Sequence, residues 1–483
     1  MDFMEPQVDT ILSQDREATQ KCELAKQFEN AGDYEEARAV LAGFWSVVGE
    51  RPNVTGLEPA TKAELLLRVG SLSGWIGSAR QISLAQDFAK DLIGESARIF
   101  ESLGLQEKAV EAQTDLAICY WRAGAVEEAS VWFQEALSRA TSVENHVRIL
   151  INKAIVEIFS NQIDEALNLL NQATPLLAYI DDEATHGRYH MQRAIAFKRR
   201  GGADNLDRAL IENAAASFHL EQAGHRRYLA RVANNIGFIL MELERHDEAL
   251  EHLNKARHIF TTLKDTGSVA QVNETRARVF LAQNRNTDAE QAASVAVATL
   301  EQGDEQSLIS EALATHGIAL ARLGRSKEAF ERLARSAQVA AMAGDRVASG
   351  RTQLIMIEQL ERHLSPADLL KLFIEADDRV GTTPDADTVE RLRSASRITI
   401  AAAQRALGRT IRDFLAGGSL KEEVRRYEAE LIKRAMDESN GQVTAAARML
   451  GISHQGLCEM LKSRHNGLRA KPPRLRRRST RTN

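Results

Sequence analysis

The residues best spaced for chemistry lie between Val443 and Lys462. His454, Gln455 and Glu459 fall on the early polar face of a short segment whose Leu457, Met460 and Leu461 repeat at helical spacing. A Gln amide pairs bidentately with adenine and a Glu carboxylate accepts from cytosine N4, so these side chains suit base edges in a major groove. Thr444, Ser453, Lys462 and Arg464 flank them as phosphate contacts, and Gly456, lacking a side chain, either lets the segment approach the groove closely or is simply tolerated within the helix.

Enzymatic constellations are absent from the sequence. There is no Gly-x-x-x-x-Gly-Lys-Ser/Thr phosphate loop, no His-Glu-x-x-His and no Gly-x-Ser-x-Gly. His186 and His190 stand four apart on an expected helix, but with no third ligand nearby in sequence they read as partly exposed histidines, not a metal site. No catalysis, cofactor or metal is expected.

The elements that must position the 443–462 residues are two short helices around a tight turn. Ala446, Ala447, Met449 and Leu450 give the first an apolar face. Gly451 stops it, Ile452 plugs the turn, and Ser453 caps the second. Ala447 and Gly451 are expected where the crossing helices come closest. Before them runs a longer helix with Val424, Tyr427, Leu431 and Ala435 along one stripe, expected to pack on the two short helices. Helix, glycine turn and recognition helix form the pattern of a DNA-binding helix-turn-helix.

Residues 419–467 resemble the Fis-type helix-turn-helix that closes many bacterial enhancer-binding activators. The resemblance rests on the Tyr427–Ala435 helix, Asn440-Gly441 and the Ala446-Ala447-Arg448-Met449-Leu450-Gly451-Ile452-Ser453 run, and covers about a tenth of the chain. It implies specific binding of double-stranded DNA and dimerisation through the long helix. The sequence departs from that pattern at Gly456, often Thr, at Cys458, often aromatic, and at His454, commonly Arg. The ATPase module of the enhancer-binding activators is missing, so the resemblance stops at the DNA-binding unit.

Residues 1–345 repeat. Ala37, Ala89, Ala129, Ala166, Ala209, Ala249, Ala289 and Ala329 recur at intervals of 52, 40, 37, 43, 40, 40 and 40. Around them stand a small residue on a first helix and bulky apolar residues on a second, as in Leu116–Gly124 with Ala129, Phe133 and Ala136, or Asn235–Leu240 with Ala249, Leu253 and Ala256. These residues resemble the tetratricopeptide consensus, at a pitch near 40 instead of 34. The expectation is an all-α fold: about eight helical hairpins in a right-handed solenoid with a concave groove, followed by the small helix-turn-helix domain.

The division expected is a repeat solenoid over 1–345, an irregular helical cap over 346–416, the helix-turn-helix over 419–467 and a disordered basic tail over 468–483. Ser365-Pro366 marks a helix start in the cap. Facing the groove, Arg148, Asn152, Arg188, Arg231, Asn234 and Asn235 are candidate contacts for a protein or peptide, Asn holding backbone and Arg a carboxylate. In the tail, Arg476, Arg477 and Arg478 can neutralise phosphates or enter a minor groove.

Charge supports the division. Residues 419–483 carry 15 Lys+Arg against 7 Asp+Glu, which leaves 47 against 60 in residues 1–418 of a chain with net charge −5. An acidic body with a basic end suits a DNA-contacting terminus. Three scattered cysteines fit a reducing compartment. With no apolar run long enough to span a bilayer and no leader expected at Met1, the reading is a cytoplasmic protein, nucleoid-associated when bound to DNA. The competing reading is an interaction scaffold whose helix-turn-helix no longer reads DNA.

Overall fold

A computed structural model of the chain describes residues 5–381, 386–415 and 419–465. All its regular elements are helical; no strand occurs among the described residues. The chain divides into two compact units, 1–398 and 399–483.

The first unit is a run of antiparallel hairpins. In order they are α1 (Glu5–Ala31) with α2 (Tyr34–Val40), α3 (Pro59–Arg80) with α4 (Ala85–Ser102), α5 (Gln106–Arg122) with α6 (Val126–Arg139), and α7 (Val143–Phe159) with α8 (Ile163–Ala173). Then come α9 (Glu183–Arg200) with α10 (Ala203–Gln222), α11 (Arg226–Glu242) with α12 (His246–Thr262), α13 (Thr266–Ala282) with α14 (Asn286–Leu300), and α15 (Gln306–Arg322) with α16 (Ser326–Met342). The eight pitch alanines fall one to each second helix, and all are 0% exposed. The pitch is therefore a packing signal: each marks where a second helix meets its own first helix with no room for a longer side chain.

Gly237 shows the same constraint from the other side. A Cβ there would lie 2.7 Å from Leu253 Cγ and 3.1 Å from the Ala249 carbonyl oxygen. The glycine lets α11 settle onto α12, and Leu253, fully buried, fills the space its missing side chain leaves. The hairpin turns reverse through left-handed residues, including Glu244 at φ 59° and Asn284 at φ 59°.

Two further helices, α17 (Arg346–Leu360) and α18 (Pro366–Val380), pair in the same way within the segment read from sequence as an irregular cap. Ser365 Oγ accepts from the Asp368 amide at 3.1 Å and so caps α18. Helix α19 (Ala386–Leu415) runs across the boundary between the units.

The hairpins wind far enough for an early turn of the solenoid to meet a later one. The α3–α4 corner lies on the starts of α13 and α15. Ser78 Oγ donates to Glu305 Oε1 at 2.9 Å, Ser83 Oγ to the Gln302 carbonyl at 2.9 Å, and Thr266 Oγ1 to the Ala79 carbonyl at 3.1 Å. The Leu84 amide donates to Asp304. Gln81 and Leu84 hold this corner at φ 55° and 62°, a conformation uncommon for side chains of their size. Beside it, Arg227 of α11 donates from Nε to the Gly32 carbonyl at 3.1 Å. The seam thus joins the first two hairpins to the sixth, seventh and eighth.

The second unit's described helices after α19 are α20 (Leu420–Glu438), α21 (Val443–Met449) and α22 (His454–Lys462). Their shared core is Ile432, Ala435, Met436, Ala446, Ala447, Leu457 and Leu461.

Candidate nucleic-acid interface and solenoid interior

The turn between α21 and α22 is built by three local devices. Gly451 takes φ 67°, which ends α21 at little strain. The Ile452 amide returns to the Ala447 carbonyl at 3.0 Å. Ser453 Oγ accepts from the Gly456 amide at 3.0 Å and caps α22. A Cβ on Gly456 would lie 3.1 Å from that Oγ, so the small residue fits the cap.

Three expectations are corrected here. Ile452 does not plug the turn; it is 39% exposed, because Leu457 and Leu461 already close the small core. Gly451 has no heavy atom within 4 Å of a built Cβ, so backbone conformation and not helix contact requires glycine. The α20 face that packs on the short helices is Ile432, Ala435 and Met436. Val424, Tyr427 and Leu431 point outward at 48%, 65% and 42% exposure. Ala435 belongs to both helical phases, and the phase with Ile432 and Met436 is the buried one.

Outward from Leu457 and Leu461, α22 presents His454, Gln455, Glu459 and Lys462, all exposed. The side chains of Gln455, Glu459 and Lys462 make no hydrogen bond or ion pair with the described chain. The His454 ring leans back along the helix, its Nε2 3.7 Å from Cys458 Sγ. Thr444 is exposed at the start of α21. Arg464 stands differently. Its carbonyl accepts from Arg425 Nε and Nη2 at 3.1 and 2.9 Å, and its guanidinium lies 3.6 Å from Glu428. Glu428 also meets the nearly buried His465 at 3.2 Å. Arg476, Arg477 and Arg478 lie outside the described residues.

The solenoid interior holds a groove of about 1520 Å³ whose lining includes Lys198, Asn213, Asn234, Asn235, Phe238 and Arg278. Lys198 Nζ sits 3.6 Å from the Phe238 ring centroid, and burial, assisted by Arg199, lowers its pKa to about 7. The Oδ1 atoms of Asn213 and Asn234 are buried without partners. Of the six residues expected in the groove, Asn234 and Asn235 line it. Arg148 is engaged by Asp115, and Asn152 donates to the Arg148 carbonyl at 2.9 Å while its Oδ1 accepts from Arg188 Nη2 at 2.9 Å. Arg188 and Arg231 flank Tyr228, each guanidinium carbon 5.8 Å from its ring centroid.

Other arginines are neutralised in place. Arg68, 2% exposed, meets Glu29 at 2.8 Å, Glu64 at 3.2 Å and Glu111 at 2.6 Å, tying α1, α3 and α5 together. Arg227 is paired with buried Asp265, which also caps α13 through the Ser268 amide at 2.9 Å.

His186 and His190 gain a neighbour that spacing does not reveal. His219 of α10 lies between them, at ring-centroid distances of 5.1 and 5.4 Å. Each ring uses one nitrogen on an oxygen: His186 on the Ile180 carbonyl, His190 on Glu212 and His219 on Glu183. No group of His, Cys, Asp and Glu among the described residues is arranged to hold a metal ion.

Comparison with known proteins agrees with both units. A tetratricopeptide-repeat model matches residues 95–178 and 228–302, and the model of the bacterial regulatory protein, Fis family, matches residues 423–462. No curated protein matches the chain. Among solved structures, a Rap protein complexed with competence and sporulation factor is similar at TM-score 0.50 and 16% identity, over 70% of this chain and 99% of that one. The apo form of RapI gives TM-score 0.42 at 12% identity over 73% and 98%, and yeast Tom70 gives 0.42 at 14% over 83% and 86%. At these identities the likeness concerns the fold. No described helix is long and apolar enough to cross a membrane. The chain thus carries tetratricopeptide repeats in its N-terminal part and a Fis-family helix-turn-helix at its C-terminus.

Proposed function

We propose that this chain is a sequence-specific DNA-binding transcriptional regulator whose solenoid takes a protein or peptide partner. The observation that carries the DNA half is α22: a capped helix, buried on Leu457 and Leu461, with Gln455, Glu459 and Lys462 exposed and uncommitted on the opposite side. In this reading Gln455 and Glu459 meet base edges, His454 joins them by rotating away from Cys458, and Thr444, Ser453, Lys462 and Arg464 lie along phosphates. Gly456 brings the helix backbone near the groove floor. The tail arginines Arg476, Arg477 and Arg478 add counterion release. Two copies joined through exposed Val424, Tyr427 and Leu431 would present paired heads to a palindrome.

For the partner half, support comes from the groove with its unpartnered asparagine oxygens, and from the structurally similar Rap protein complexed with competence and sporulation factor. Residues 1–345 are assigned to the repeat body, 346–416 to its helical end and 419–467 to the reading head. The protein works in the cytoplasm and associates with the nucleoid through DNA.

The test is selection of bound sequences from a random duplex library by the full chain. Enrichment of a consensus, lost in the double variant H454A/Q455A, is the expected result. Absence of any enriched sequence sinks the reading. It would favour the alternative, a tetratricopeptide interaction scaffold with a degenerate helix-turn-helix, which the folding of His454 back onto Cys458 supports.

A further inference from the structure

Lys198 differs from every other lysine among the described residues. Lys21, Lys26, Lys62, Lys90, Lys108 and Lys153 each have a carboxylate at 2.7 to 3.8 Å. The remaining described lysines stand exposed in water. Lys198 has neither arrangement. It sits in the last turn of α9, only partly exposed, on the groove wall. It forms no hydrogen bond or ion pair within the described chain. Its Nζ stands 3.6 Å from the Phe238 ring centroid. The charges that act on it are Arg199 of its own helix, Glu242 of α11, Arg278 of α13 and Glu311 of α15. Glu311 lies 3.7 Å from Arg278, so part of that negative charge is already answered.

Withdrawal from water disfavours an ammonium that lacks a counter-ion, and Arg199 and Arg278 add like charge. Together they outweigh Glu242 and Glu311 and bring the pKa to about 7. At neutral pH about half of Lys198 then carries a free lone pair, against roughly one in 3,000 for a lysine at the ordinary 10.5. An uncharged amine attracts anions weakly. It is a nucleophile, and the chemistry open to it is addition to a carbonyl. The surroundings suit a small ligand. Ile195, Phe238 and Met241 give the groove an apolar wall beside the amine. Glu242 follows Phe238 by one turn of α11, lines the same groove and is uncommitted within the described chain.

We propose that Lys198 is a covalent seat for an effector aldehyde with a small apolar or aromatic body, held as an imine beside Phe238. The amine nitrogen bonds to the carbonyl carbon, and the C=O π pair moves to oxygen. Glu242 carries a proton from that nitrogen to the oxygen, which gives a carbinolamine. The nitrogen lone pair then expels the hydroxyl, which leaves as water with the remaining nitrogen proton. One amine and one aldehyde thus give one imine and one water, with no oxidant or reductant, and water reverses the step. The site goes beyond the DNA-binding and partner-binding readings, and its failure would leave both standing.

The experiment treats the full chain at pH 7 with benzaldehyde and sodium cyanoborohydride, which fixes an imine as a secondary amine, and reads the label at each lysine by peptide mass mapping. Lys198 should be labelled at least tenfold faster than exposed Lys255 and Lys327. In denaturing urea that preference should vanish. Benzyl alcohol, which fits the same wall but has no carbonyl, should slow labelling of Lys198 at least threefold and leave Lys255 unchanged. K198R should lose this label alone and melt as the parent does; the urea and benzyl alcohol arms need no variant. Labelling of Lys198 no faster than of Lys255 overturns the proposal. So does a preference that survives in urea, which would belong to local sequence, or a rate that benzyl alcohol leaves unchanged, which would mean a reactive amine without a ligand seat.

Discussion

Arg227 and Gly32 are joined by a 3.1 Å hydrogen bond across 195 residues, which ties the sixth hairpin back to the first. The same guanidinium lies 4.5 Å from the Tyr34 ring centroid and neutralises Asp265. One side chain thus serves the seam, the α13 cap and a buried charge pair.

Replacing Arg227 therefore has a cost beyond one hydrogen bond. R227L leaves Asp265, 3% exposed, charged and unpaired, so a loss of about 3–5 kcal/mol is expected. Urea unfolding measures it. Small-angle scattering should show an expanded solenoid, because the seam contact to Gly32 is lost. A variant as stable and compact as the parent would show that the seam does not depend on Arg227.

His225 makes stability pH-dependent. It caps α11 by accepting the Tyr228 amide on Nδ1 at 3.2 Å, which requires that nitrogen unprotonated. Burial, with Arg188, Arg227 and Arg231 acting in the same direction, lowers its pKa to about 3 from the ordinary 6.5. Below pH 6.5 the unfolded chain takes up a proton that the folded chain refuses until about pH 3. The contribution is thus complete above pH 6.5 and declines between these values by about 1.4 kcal/mol per pH unit. Unfolding free energies at pH 7, 6 and 5 should show this slope, and H225N, which keeps a capping acceptor that does not titrate, should reduce it by one proton.

Gly237 offers a test of hairpin packing. G237A places a methyl 2.7 Å from Leu253 Cγ and 3.1 Å from the Ala249 carbonyl, and the carbonyl cannot yield as a side chain would. Overpacking of this kind costs about 1–3 kcal/mol, more than the roughly 1 kcal/mol of helix propensity that alanine adds. Net destabilisation is expected by thermal melting, and L253A in the same chain should recover part of the steric loss while opening a cavity.

The hairpins were legible because their determinants are local and repeated. A fully buried alanine every 40 residues or so, each with a small partner on the preceding helix, leaves a period in the sequence. The seam leaves none. Gln81 and Glu305 are 224 positions apart and each makes its contact once. His219 escaped for a related reason, since it meets His186 and His190 only after the Gly201-Gly202 turn folds α10 back on α9. In the head, Gly451 and the Ser453 cap were readable as local chemistry. The α20 stripe was not, because Ala435 fits two helical phases and only tertiary packing selects one.

The unburied phase of α20 leads to a prediction about assembly. Val424, Tyr427 and Leu431 are spaced along one exposed face, which is unfavourable for an isolated helix in water. Y427E/L431E leaves the Ile432, Ala435 and Met436 core untouched, so the head should stay folded. Sedimentation of the full chain should move from dimer to monomer, and duplex affinity should fall at least tenfold. A parent chain that sediments as a monomer at micromolar concentration defeats the dimer.

The base-reading and phosphate-contact roles proposed for α22 are separable by salt. Gln455 is exposed and unpaired near the helix start, so Q455A should relax preference at one base position by about 1–3 kcal/mol while leaving the salt dependence of binding unchanged. Lys462, exposed at the other end, should behave oppositely. K462A weakens all duplexes alike and reduces the slope of log affinity against log salt by about 0.9. Titrations of matched and mismatched duplexes at several salt concentrations distinguish the two. If Q455A changed only the salt slope, α22 would be lying on the backbone with its polar face out of the groove, and base selection would have to come from another element.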